Sequence, residues 1–142
     1  MKTKVLLVDD EKEFVETLAQ RLELRNLSVT TVYSGEKAIA IAEKIDFDVI
    51  ILDVLMPEMT GIEVLQEIKK IKPLTPVIML TGEATIENAI QGMKLGAFDF
   101  LMKPADTERL FEKITQAQTI KHEHEERIRQ AEIENILRTR GW

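Results

Sequence analysis

The chain reads as an α/β protein, an open parallel sheet of five strands wound on both faces by helices and followed by a C-terminal helical extension. Three observations lead there. Short apolar runs alternate five times with amphipathic stretches of helical spacing. The run Val49 to Leu52 is apolar at every position, as in a strand covered on both faces. Cap and breaker residues fall between the two kinds of segment, where turns belong.

The elements follow in order. Val5 to Val8 predicts a buried strand, and Phe14, Val15, Leu18, Ala19 and Leu22 then recur at helical spacing. Leu27, Val29, Thr31 and Tyr33 alternate, which predicts a second strand nearer an edge. Ser34 suits an N-cap before the helix face Ala38, Ile39 and Ala42. After the third strand, Val49 to Leu52, Thr60 and Glu63 fit a capping box ahead of Ile62, Leu65 and Ile68. Pro73 and Pro76 end that helix before the fourth strand, Val77 to Leu80. Ile86, Ala89, Ile90 and Met93 predict a short helix stopped at Gly96. Phe98 to Met102 is the fifth strand, and Asp106 caps a last helix carrying Leu110, Phe111 and Ile114.

The 142 residues, 44% hydrophobic and 31% charged, suffice for one domain with a single core. A net charge of -6 argues against a nucleic-acid footprint, because an acidic surface repels phosphate backbones. With no cysteine there is neither a disulfide framework nor a thiolate metal site. The four apolar residues Val5 to Val8 are too few for a signal-peptide core. No stretch approaches the roughly 18 apolar residues of a membrane span. The expectation is a soluble, cytoplasmic protein.

The chemistry lies at the strand ends. In open parallel sheets, ligands bind outside the carboxyl ends of the strands, near the point where strand order reverses. Here the first strand ends in Asp9-Asp10, the third in Asp53, the fourth in Thr81 and the fifth in Lys103-Pro104. If the first and third strands are neighbours, three carboxylates share one crevice. Crowded carboxylates raise one another's pKa or recruit a cation, and hard oxygen ligands without His or Cys suit Mg2+. Lys103 adds a positive charge and Thr81 a hydroxyl. One acid available as nucleophile, a divalent ion, a cation and a donor are the equipment of phosphoryl transfer.

Asp9-Asp10, "LDVLMPEMTG" around Asp53, "LTG" at Leu80 to Gly82 and "LMKPAD" around Lys103-Pro104 stand in the order and spacing of the receiver domain of two-component response regulators. The resemblance covers roughly residues 3 to 118 and implies a flavodoxin-like strand order, 2-1-3-4-5. It further implies that Asp53 accepts a phosphoryl group from the phosphohistidine of a sensor histidine kinase or phosphotransfer protein. Asp10 and Asp53 would ligate Mg2+ directly, Asp9 through a water, and the Leu55 carbonyl would complete the protein's share. Lys103 would pair with the phosphoryl group and Thr81 would move to bond it. Phe100 stands where the family often has an aromatic switch residue, and the Lys103-Pro104 bond resembles its cis peptide. The output face would be the fourth helix, fifth strand and fifth helix, acting on an unnamed downstream protein. Val54, Leu55 and Glu83 would govern water access and so phosphoryl lifetime.

Blander readings stand beside these. Asp9-Asp10 could cap a helix, Thr81 could cap the next one, and Phe100 could be plain core. Gly61 and Gly82 read as backbone geometry, a positive φ or a close approach. His122 and His124, two apart, point to different faces of a helix and read as solvated. An alternative function is a Mg2+-dependent phosphohydrolase working through an aspartyl phosphate. Such enzymes usually place a second acid two residues after the nucleophile, whereas Asp9 is followed directly by Asp10.

Residues 1–118 therefore read as a receiver and 119–142 as a helical extension or linker. The extension holds five Lys/Arg and five Glu, with Glu123–Arg127 and Glu134–Arg138 as favourable i,i+4 pairs. A seam runs through Leu110, Ile114, Ala117, Lys121, His124, Ile128, Ala131 and Asn135. Lys121, His124 and Asn135 are poor core residues there, so a homodimer through this helix would rest on a weak coiled coil. Trp142 stands at the extreme end and could pack on a partner. No helix-turn-helix, P-loop or basic recognition helix is present, so direct DNA binding is not expected.

Overall fold

A computed structural model describes residues 1–82 and 86–140. Its elements are β1 (Thr3–Val8), α1 (Lys12–Glu23), β2 (Leu27–Val32), α2 (Gly35–Lys44), β3 (Val49–Asp53), α3 (Gly61–Ile71), β4 (Val77–Thr81), α4 (Ile86–Lys94), β5 (Asp99–Met102) and α5 (Thr107–Thr139). The strands form one parallel sheet in the order β2-β1-β3-β4-β5. Strand order reverses between β1 and β3, whose register pairs Val8 with Leu52. Asp9 and Asp53, the next residue on each chain, thus emerge side by side.

Successive side chains of a strand point to opposite faces, and each face of this sheet has its own apolar layer. On one side Leu7, Ile51 and Leu80 meet Val15, Leu18 and Leu22 of α1 and Leu110 and Ile114 of α5. On the other, Leu6, Ile50, Leu52 and Met79 meet Ala38 of α2 and Val64, Leu65 and Ile68 of α3. β3 and β4 are buried at every position, which is why their sequences carry no polar alternation. β2, at an edge, is mostly half-buried and carries polar residues at Ser28, Thr30 and Thr31.

The caps do what short polar side chains do at helix starts. Ser34 Oγ accepts from the Lys37 N–H at 3.3 Å. Thr60 and Glu63 form a reciprocal capping box. The Asp106 carboxylate accepts from the Glu108 N–H at 3.1 Å.

Three expectations are corrected. Of the α4 stripe expected from the sequence Ala89 is buried, but the large residues Ile86, Ile90 and Met93 are exposed, and Gly92 faces inward beside Ala89. Gly92 lies so close to Met79 that an added Cβ would collide with its sulfur, so the helix docks by its small residues and leaves the large ones outside. Second, Glu123–Arg127 and Glu134–Arg138 do not pair; Glu126 and Arg129 do, at 2.9 Å, and Lys121 reaches Asp46 of the body at 3.2 Å. Surface pairs are worth only tenths of a kcal/mol, too little to dictate where long side chains lie.

The third correction concerns Lys121. α5 runs without a break from the body into the extension, about 50 Å at 1.5 Å per residue. Lys121 is 4% exposed, its amine donating to the Phe47 carbonyl at 2.8 Å and to Asp46 Oδ1 at 3.2 Å. The methylene stem supplies the apolar contact and the ammonium finds polar partners at the start of β3, so the residue seats well where a core lysine was counted a liability. His124 and Asn135 are exposed. Glu83 and Trp142 lie outside the described residues.

Candidate functional site

Five residues converge where the carboxyl ends of the strands meet. β1 delivers Asp9, fully buried, and then Asp10, which is exposed. β3 delivers Asp53 at 5% exposure, β4 delivers Thr81, fully buried, and the turn after β5 delivers Lys103. One carboxylate oxygen from each of Asp9, Asp10 and Asp53 lies within 4.8 Å of the others. The loop that returns from Asp53 to α3 needs Gly61, whose missing Cβ would clash with the Asp53 carbonyl and sit 2.7 Å from Val54 Cα. Gly82 has open space where a Cβ would sit and no positive φ, so the geometric requirement foreseen for it is absent.

Lys103 is the pivot of the charges. Its amine lies 2.7 Å from Asp9 Oδ2, 3.3 Å from Glu11 Oε1 and 3.4 Å from Asp53 Oδ1. Burial pushes its pKa down, but the Asp9 hydrogen bond and the charges of Asp53 and Asp9 outweigh this, and the net shift is upward. The Asp53 carboxyl is pushed up to about 7, first by burial and then by the Asp9 charge, against the smaller opposing pull of Lys103. The Leu55 N–H also bonds the Asp53 carboxylate, and the Leu55 side chain is exposed. The Lys103-Pro104 peptide is cis.

Thr81 Oγ1 donates to the Gly82 carbonyl at 3.1 Å. Phe100 is partly buried, packed on the sheet face that carries Met79 and Leu52. Two residues at the pocket were not singled out from the sequence as part of it. Glu11 reaches Lys103, and the Phe14 ring lies 4.6 Å from the same amine. Glu11 follows Asp9-Asp10 directly, a local signal; Phe14 carried only the spacing of a helix face.

Three hard carboxylates with no nitrogen or sulfur donor among them match the preference of Mg2+, which takes few carboxylates and keeps several waters. A single ammonium cannot neutralise Asp9, Asp10, Glu11 and Asp53 together, so the pocket retains a demand for positive charge.

Fold and pocket together define a signalling class, the receiver domains of two-component systems. A family model described as response regulator receiver domain matches residues 5–115, and the chain belongs to that family. The transcriptional regulatory protein ZraR of Salmonella typhimurium is 37% identical over 116 residues, 82% of this chain and 26% of that protein. This chain thus spans a minor part of that relative's length. A response regulator receiver domain protein from Clostridium thermocellum superposes with a TM-score of 0.82 at 37% identity, covering 84% of this chain and 97% of its own. A Rhodopirellula baltica structure described as an adenylate cyclase reaches a TM-score of 0.87 at 31% identity, over 93% of this chain and 98% of its own. Among the described residues no helix is long and apolar enough to cross a membrane.

Proposed function

We propose that the chain is a phosphorylation-driven switch in which Asp53 takes a phosphoryl group from the phosphohistidine of a sensor histidine kinase or phosphotransfer protein. An Asp53 oxygen forms the new P–O bond as the donor's P–N bond breaks, and the imidazole leaves with the electron pair and gains a proton. Asp9, Asp10, Asp53 and the Leu55 carbonyl would hold Mg2+, which when bound neutralises charge on the transferring phosphoryl group. Lys103 orients that group, and Thr81 and Phe100 act as the switch pair. The chain serves its own transfer and dephosphorylation rather than turning over external substrates. What supports this reading is the seating of Asp53 at the end of a fully buried inner strand, between two acids and a lysine.

The output face is assigned to α4, β5 and α5. Ile86, Ile90 and Met93 of α4 and Met102 of β5 are exposed there, an apolar surface suited to a downstream protein. Residues 1–118 form the receiver and 119–142 the extension, where Ile128, Ile133, Ile136 and Leu137 are exposed and available for a homodimer. The setting is cytoplasmic, without direct binding to nucleic acid.

Incubation with acetyl phosphate and Mg2+ is expected to give one hydroxylamine-labile phosphate per chain in the wild type and none in Asp53→Ala. Full labelling of Asp53→Ala would overturn the assignment.

A further inference from the structure

Lys103 has more company than phosphoryl transfer to Asp53 requires. Glu11 occupies the N-cap of α1, where a short polar side chain would normally bond the first-turn amides. It makes no such bond. Its carboxylate runs instead to the Lys103 amine at 3.3 Å, while its own N–H is held by Asp9 Oδ1 at 3.0 Å. The segment Asp9 to Glu11 therefore grips the lysine twice, from beneath through buried Asp9 and from the mouth through Glu11. The Glu11 side chain is 65% exposed, so its charge also faces whatever approaches from solvent.

We propose that Glu11 is a positioning and donor-selecting residue of the phosphoryl-transfer site. This rests on the function proposed above. Two physical effects act together. The Glu11 carboxylate competes with an arriving phosphoryl group for Lys103. It also adds a further negative charge to a mouth that already carries Asp10, which disfavours small, highly charged anionic donors that arrive by diffusion. Both effects act on the encounter of donor and site, so they weigh on kcat/KM rather than on how many sites are phosphorylated in the end. Phe14, its ring centroid 4.6 Å from the amine, and buried Asp9 at 2.7 Å keep Lys103 near the pocket when Glu11 is neutralised.

The test compares wild type with Glu11→Gln, which keeps size and removes charge, using acetyl phosphate and the less highly charged phosphoramidate at saturating Mg2+. Thermal melts confirm that both proteins are folded. At low salt Glu11→Gln is expected to raise kcat/KM for acetyl phosphate about three- to tenfold, the scale of deleting one screened unit charge a few Å away. The gain should be smaller with phosphoramidate and should shrink toward unity near 1 M salt, where screening acts within about 3 Å. A purely structural role for Glu11 would move neither the donor ratio nor the salt dependence. Equal rates for the two proteins at low salt, with wild type labelled on Asp53, overturn this inference alone. A wild type that takes no label at all overturns the parent reading, and this one with it.

Discussion

The Asp53 carboxyl sits beneath solvent beside a like-charged neighbour, and this ties its protonation to the stability of the fold. Its folded pKa, about 7, lies above the ordinary value of 3.8, chiefly because burial penalises the charged form. Between these two values the folded state holds a proton that the unfolded chain has released. The Asp53 contribution is therefore favourable at acid pH and is lost as pH rises toward 7. Asp53→Asn removes that loss. Without metal, it should match wild type near pH 4 and exceed it by roughly 2 to 4 kcal/mol at pH 8, the order set by a carboxyl moved from 3.8 to about 7. Urea melts at both pH values check this, and a variant less stable than wild type at pH 8 would contradict the cause assigned to the shift. At this scale Asp9, Asp10, Asp53, Thr81 and Lys103 were legible in the sequence, because each ends an apolar run and breaks it with a polar group. Glu11 and Phe14 were not legible as partners of Lys103. Their contact depends on α1 turning back over the sheet beside a residue 92 positions further along.

Strands, caps and breakers were legible at the scale of elements because each has a local cause. The run Val49 to Leu52 has no polar residue to expose, and Thr60 with Glu63 can close a capping box without outside help. What periodicity could not decide was which apolar side of α4 turns inward. Ile86, Ile90 and Met93 share a face by spacing, yet Ala89 and Gly92 allow the closer approach to Met79. α5 shows a similar limit. Its spacing suggests a coiled-coil seam weakened by Lys121, His124 and Asn135, whereas Leu110, Ile114, Ala117 and Lys121 are the face by which the helix docks on its own domain. Lys121 is the last buried residue of that face and marks where the helix departs. Lys121→Ala removes two hydrogen bonds from a charged donor, one of them to exposed Asp46, and should lower the unfolding free energy by about 2 kcal/mol. Amide exchange should quicken around Ala117 to His124. Unchanged stability with unchanged exchange would mean that the amine contributes nothing to holding the helix.

For the whole molecule, the parallel sheet does one thing that none of its elements does alone. By reversing order between β1 and β3 it brings Asp9 and Asp53, far apart in sequence, to the same edge, with Thr81 and Lys103 arriving from the next two strands. The fold class was legible from the alternation of segments. The crevice was legible only conditionally, since neighbouring first and third strands had to be assumed until the family resemblance supplied the order. The opposite end of the sheet holds the root of the extension, where Lys121 meets Phe47. Asp53 and the departing helix therefore lie at the two ends of β3. The most direct test of the central claim is chemical mapping. Protein treated with acetyl phosphate is reduced with borohydride, which converts an aspartyl phosphate to homoserine, and its peptides are sequenced by mass spectrometry. The account predicts conversion at position 53 alone, dependent on Mg2+ and lost with a chelator. Conversion at another carboxylate, or at position 53 irrespective of Mg2+, would contradict it.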